Sequence, residues 1–139
     1  MRRLRIRVDA FVFIARMEEQ QAPHTCAAFY KLLPYQQKII HARWSGEACW
    51  IPLGDFQLGV GFENHTCHPS RGDILFYPGG LSETEILFAY GSASFASKAG
   101  ALAGNHFLSV IEGQEQLASM GHLCLWKGAQ DIIFDEIAT

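Results

Sequence analysis

The chain opens on an alternation. Arg3, Arg5 and Arg7 are interleaved with Leu4, Ile6 and Val8, and a period of two with one charged face predicts a half-buried strand over 3–9. Residues 10–16 give a second strand, in which the β-branched and aromatic text FVFIARM runs on to the polar stretch Glu18 to Gln21. The period then changes. In APHTCAAFYKLLP, residues 22–34, Cys26, Phe29, Tyr30 and Leu33 fall at helical spacing. Pro23 suits a first helical turn, where its missing N–H costs little. Pro34 ends the helix, because the residue before a proline avoids helical backbone. Residues 38–44 and 47–51 read as strands joined around Gly46, and 55–72 are the least regular part. RGD at 71–73 turns into the strand ILFY, and YPGG at 77–80 is a strong turn signal. TEILFAY is another strand, followed by a glycine- and serine-rich connection and the strand NHFLSVI. EGQEQLASMGHLCLW starts a second helix, with Ile111, Leu117 and Met120 apolar and Gly121 as its stop, and QDIIFDEI closes as a strand. Many short strands with two short helices predict a mainly β chain, a closed antiparallel barrel whose ends the helices cover.

Composition changes the picture little. A chain of 139 residues suits one domain. At this length roughly 68–70% of the unfolded surface is buried on folding, enough for a core without metal or disulfides. Hydrophobic residues make up 49% and charged residues 18%. That lean charge points to a homo-oligomer. Net charge is −3, which gives no ground for nucleic-acid binding; the one basic run, MRRLRIR, reads as a solvated strand face. No apolar run reaches the length of a membrane span, and Asp9 interrupts any signal-like stretch after the first arginines. Cys26, Cys49, Cys67 and Cys124 form no CxxC pair and read as free, mostly buried thiols. The expectation is a cytoplasmic protein without membrane or nucleic-acid partners.

Candidate chemistry is sparse. His65, Cys67 and His68 are soft or borderline ligands, but they sit in one loop without a second cluster, so neither a metal nor a cofactor is expected. Glu83 and Glu85 stand at strand spacing, open to an acid/base pair or to the solvated strand end that ordinary surfaces favour. Asn105 and His106 sit at the entry to a strand, where a satisfied structural histidine is the commoner outcome. HARWSGEACWIPLGD, residues 41–55, is the richest stretch, with Arg43 and Glu47 between Trp44 and Trp50. If Ala42, Trp44 and Trp50 face the core, His41, Arg43 and Cys49 face the other way, and Gly46 leaves the face of Glu47 open. Arg43 and Glu47 are then either an exposed ion pair, worth at most about 1 kcal/mol, or part of a groove in which arginine grips a carboxylate or carbonyl against aromatic walls.

APHTCAAFYKLLP resembles the first-helix signature of cyclophilins through Ala22, Pro23, Thr25 and Phe29, and FLSVIEGQEQL resembles their late strand and last helix through Val110, Glu112, Gly113 and Leu117. ARWSGEACWIPLGD, GDILFYPGG, SETEILFAYG, AGNHFLSVIEG and GAQDI are similar to a bacterial and archaeal family of uncharacterised cyclophilin-like proteins, over nearly the whole chain. The resemblance implies a closed cyclophilin-like barrel of about eight strands with two short helices. It implies no activity. Arg43 lies where cyclophilins carry the arginine that holds the twisted proline amide. The Phe-Met-x-Gln stretch expected next is replaced by Glu47-Ala48-Cys49-Trp50, and the late Trp and His have no match. A charged hydrogen bond is worth about 1.5–3 kcal/mol against a rotation barrier of about 18–20 kcal/mol, so Arg43 alone supplies little of an isomerase.

The reading is a protein that binds a small metabolite or short peptide in a groove near Arg43. Its expected site is Arg43, Trp44, Glu47, Trp50, Tyr77, Glu83, Asn105 and His106. The alternatives are a weak peptidyl-prolyl isomerase or an accessory subunit in amide hydrolysis, and a ligand-free assembly subunit.

Overall fold

A computed structural model describes residues 1–137. The first two strands, β1 (Arg3–Val8) and β2 (Phe11–Met17), form a hairpin. Helix α1 (Pro23–Tyr30) follows, then β3 (Tyr35–His41) and β4 (Gly46–Gly54). After a long loop come the two-residue β5 (His65–Thr66), β6 (Asp73–Tyr77) and β7 (Thr84–Ala93). A small hairpin of β8 (Ala96–Ser97) and β9 (Gly100–Ala101) precedes β10 (Gly104–Glu112), α2 (Leu117–Lys127) and β11 (Gln130–Glu136). The main sheet runs β2-β1-β11-β3-β4-β7-β6-β10, and β10 pairs back with β2, so eight antiparallel strands close into a barrel.

Alternation builds that barrel. In β1, Leu4, Ile6 and Val8 are fully buried while the three arginines between them are exposed. The interior is rich in phenylalanine. Phe29 of α1 lies edge-on to Phe107 and Phe134, with centroids 5.0 and 5.1 Å away, so α1 plugs one end through aromatic contacts. Helix α2 buries Leu117, Met120 and Cys124 and packs on β3, β4 and β7. Among the described residues no helix is long and apolar enough to cross a membrane.

Two local expectations change. Gly121 does not stop α2, which runs on to Lys127 and ends at Gly128. A Cβ at Gly121 would collide with the Tyr90 ring, so the glycine is there for close helix-to-strand approach. The faces of β4 are also the reverse of the sequence-based alternation. Cys49 is fully buried in the barrel core, while Trp50 packs in a second, smaller cluster with Leu75, Tyr77, Leu87, Phe95 and Leu102. Trp50 pairs with Leu87, and Leu87 with Leu75, so this cluster shares the outer face of β4, β7 and β6. The segment 95–102 covers it. That is why TEILFAY is buried without a break: an antiparallel strand covered on both faces loses its polar alternation.

Candidate functional site

Beside the outer cluster lies a pocket of about 360 Å3. Ile40, Trp50 and Glu85 reach it from the strands. Arg43, Trp44 and Ser45 come from the turn after β3, Ser82 and Glu83 from the turn before β7, and Ser97 and Lys98 from the β8–β9 hairpin. Each wall is fixed by specific bonds.

The Arg43 turn is anchored from both sides. The Ala42 N–H bonds Ala48 O at 2.9 Å. His41 Nδ1 lies 2.8 Å from Ala42 O and its Nε2 2.8 Å from the Tyr90 hydroxyl. A carbonyl only accepts, so Nδ1 carries a proton and donates to it. Nε2 and the Tyr90 hydroxyl share the second bond. Ser45 staples this turn to the small hairpin: its Oγ donates to Ala96 O and accepts the Ala96 N–H, both at 3.1 Å, while Ser45 O accepts the Ser94 N–H.

The third wall hangs on a glycine turn and a phenol. Gly79 and Gly80 take φ of 96° and 124°, a region that favours glycine. The chain returns over Tyr77, whose hydroxyl accepts the N–H groups of Leu81 and Ser82 at 2.9 and 3.3 Å. Glu83 Oε2 accepts the Gly54 N–H at 2.9 Å, tying the turn to the end of β4.

Glu85 is the exceptional group. It points outward on β7, between the positions of Pro52 and Tyr77 on the flanking strands, and is 6% exposed. Among the described residues nothing hydrogen-bonds or pairs with its carboxyl. Burial, helped by the charge of neighbouring Glu83, pushes it up to about 8. Arg43 and Lys98 are exposed at the rim, and neither has an ion-pair partner among the described residues.

Of the expected residues, the pocket therefore gathers Arg43, Trp44, Trp50 and Glu83. The other four lie elsewhere. Glu47 makes no ion pair with Arg43: its Oε1 accepts the Ser92 N–H at 2.8 Å, with the carboxylate laid over Gly91. Tyr77 supports the wall from behind. Asn105 is fully buried beside α1, donating to Thr25 Oγ1 and Gly61 O and accepting the Glu63 N–H. His106 joins Ser109, Glu18 and Asp73 in a network of its own. Sequence reasoning favoured a solvated Glu85. The signal that finds it is its place in line with Leu87 on a strand that is otherwise apolar on both faces.

A family model described as "Protein of unknown function (DUF3830)" matches residues 4–135. The chain belongs to that family. No curated protein matches it significantly. Three solved structures share the fold at low sequence identity. McbB, solved in complex with tryptophan, is similar with a TM-score of 0.73 and 15% identity; the match covers 98% of this chain and 45% of that one. A hypothetical protein from Archaeoglobus fulgidus follows at 0.66 and 19%, covering 98% and 95%. A cyclophilin-type peptidyl-prolyl cis-trans isomerase of Cryptosporidium parvum, crystallised in the presence of the dipeptide Ala-Pro, gives 0.63 and 16%, covering 99% of both chains. The cyclophilin-like barrel expected from the sequence is thus the observed fold.

Proposed function

We propose that the DUF3830 chain binds a small carboxylate- or amide-bearing metabolite, or the end of a short peptide, in the pocket beside Arg43. One observation carries this reading: Arg43 and Lys98 line an aromatic-walled pocket while no carboxylate among the described residues neutralises them. Trp44, 56% exposed, leaves an indole surface open beside the pocket. The volume lies at the lower end of the usual small-ligand range, about 300–1,000 Å3. An arginine fork recognises carboxylate or carbonyl oxygens, and tryptophan supplies apolar area and a π face. The tryptophan held by McbB is a ligand of this size and chemistry.

A thermal-shift screen of small carboxylates, amides and Pro-containing peptides, on wild type and Arg43→Ala, tests it. A ligand at 100 times its Kd adds about 2.7 kcal/mol, so a binder raises the wild-type midpoint by several degrees. Arg43→Ala removes most of that rise. A panel that shifts both proteins equally sinks the role of Arg43.

Prolyl isomerisation is the second reading. It is favoured by the place of Arg43 at the mouth of this outer-face pocket and by the Ala-Pro dipeptide present with the structurally similar cyclophilin. Exchange spectroscopy on a Pro-containing peptide decides it: unaltered cis/trans exchange in the presence of the protein rules it out.

A further inference from the structure

The pocket has two chemically opposite ends. Its rim carries Arg43 and Lys98, both exposed. Its strand side carries Glu85, which is 6% exposed, with the exposed Glu83 two positions earlier in the turn before β7, its Oε2 bound to the Gly54 N–H. No fully enclosed side-chain oxygen among the described residues lacks a partner, so the small part of Glu85 that stays accessible is its carboxyl, opening into the pocket. Here, among the described residues, none bonds the Glu85 carboxyl, and neither rim cation forms a salt bridge with it. The other groups near it are accounted for. Tyr77, its neighbour on β6, spends its hydroxyl on Leu81 and Ser82, and Trp50 on β4 has only its indole N–H to offer.

We infer that the strand-side end is an ammonium site: Glu85, with Glu83 beside it, receives the amine cation of a ligand whose carboxylate or carbonyl faces Arg43. The proposal rests on the binding reading above and narrows the ligand to a free amino acid or a peptide amino terminus. Two carboxyls on one side favour a cation over an oxygen acceptor, because the charge of Glu83 repels an anion from the same spot. The step balances without a redox partner. Glu85 enters as a neutral carboxyl, the ligand as R–NH3+. The carboxyl proton leaves to solvent, the carboxylate–ammonium pair forms, and no ligand bond breaks. Since burial and Glu83 hold the carboxyl protonated up to about pH 8, binding at pH 7 releases close to one proton. Below that value, amine affinity then increases about tenfold for each unit by which the pH is raised.

Three probes with a common phenyl group separate the ends: 3-phenylpropionate (acid only), phenethylamine (amine only) and L-phenylalanine (both). Calorimetric titration at pH 6 and 7, in two buffers of different ionisation heat, counts protons on the wild type and on each variant. The expected result is release of close to one proton with phenethylamine and L-phenylalanine and none with 3-phenylpropionate, and amine affinity about tenfold higher at pH 7 than at pH 6. Glu85→Gln, checked for fold by circular dichroism, abolishes the release and weakens both amines at least tenfold while leaving 3-phenylpropionate bound as in wild type. Arg43→Ala weakens 3-phenylpropionate and L-phenylalanine and leaves phenethylamine bound, with its proton release, as in wild type. Amine binding without proton release, or amines held equally well by Glu85→Gln, overturns the ammonium site alone. 3-Phenylpropionate indifferent to Arg43→Ala overturns the role of Arg43 alone. Silence from all three probes overturns both.

Discussion

The hydroxyl of Tyr77 accepts the backbone N–H of Leu81 at 2.9 Å, so a residue at the end of β6 shapes a turn four positions further on. Through that bond and its weaker companion to Ser82, the phenol holds Ser82 and Glu83 against the pocket. Tyr77→Phe keeps the ring, which lies edge-on to Phe95 with centroids 6.0 Å apart, and deletes only the acceptor. The expected cost is about 0.5–1.5 kcal/mol of stability, that of a typical hydrogen bond. A larger effect is expected on hydrogen exchange, with faster protection loss at the amides of 81 and 82 than elsewhere. Equal protection in both proteins contradicts the anchoring role.

Gly121 tests the opposite kind of contact. Replacing glycine by alanine inside a helix ordinarily gains about 0.8–1 kcal/mol. At Gly121 the new methyl runs into the ring of Tyr90, which is itself pinned by the His41 bond. Overpacking typically costs about 1–3 kcal/mol, so steric conflict wins and Gly121→Ala lowers the thermal midpoint by several degrees. The double variant Gly121→Ala, Tyr90→Leu makes room at the clash and recovers part of the loss. A midpoint that rises in the single variant contradicts this packing.

The same residue shows where the sequence is legible and where it stops. Strand β1 announces itself through a period of two, β6 and β7 through unbroken apolar runs, and both helices through apolar spacing, because those patterns are local. Gly121 is readable from its neighbours only as a helix stop; its reason lies on β7, thirty-one positions earlier. The pocket is non-local throughout. Ser45 matters because it meets Ala96. Glu85 matters because segment 95–102 covers its strand. Arg43 and Trp44 draw attention in the sequence because a charge among tryptophans is locally odd, and both line the pocket. Asn105 is fully buried and His106 partly exposed, and their partners lie outside the pocket.

His106 sets a pH dependence of its own. Its Nε2 lies 2.7 Å from Ser109 Oγ and 3.3 Å from Asp73 Oδ1, and Ser109 donates to Glu18 Oε2 at 2.8 Å. Burial lowers the imidazole, but the hydrogen bond and charge of Asp73, with the charge of Glu18, outweigh it and leave the group raised above its ordinary 6.5. A folded value above the unfolded one means stability that is complete below about pH 6.5 and lost as pH rises through the folded value. The midpoint difference between wild type and His106→Gln is therefore largest near pH 5.5–6 and shrinks by pH 8.5. A constant difference across that range contradicts the charged network.

Glu85 makes the sharpest stability prediction, because it is a carboxyl moved in the unusual direction. Unfolded, it ionises at about 4.5; folded, burial and Glu83 hold its proton up to about 8. Below pH 4.5 both states are protonated and no penalty exists. Between 4.5 and 8 the unfolded chain gives up the proton that the folded chain keeps, so the folded state is progressively disfavoured, and above 8 the full penalty applies. At about 1.4 kcal/mol per unit of displacement the penalty is on the order of 3–5 kcal/mol. Glu85→Gln removes it, because the amide is a neutral group of the same shape as the protonated carboxyl that it replaces. The variant is expected to match wild type within a degree or two near pH 4 and to exceed it by at least about 3 °C at pH 8.5. That gain would come with the loss of amine binding, the trade expected when a site keeps a group that the fold alone would discard. A Glu85→Gln protein no more stable than wild type at pH 8.5 means that the wild-type carboxyl ionises freely, and the pocket then contains no stored charge for a ligand to use.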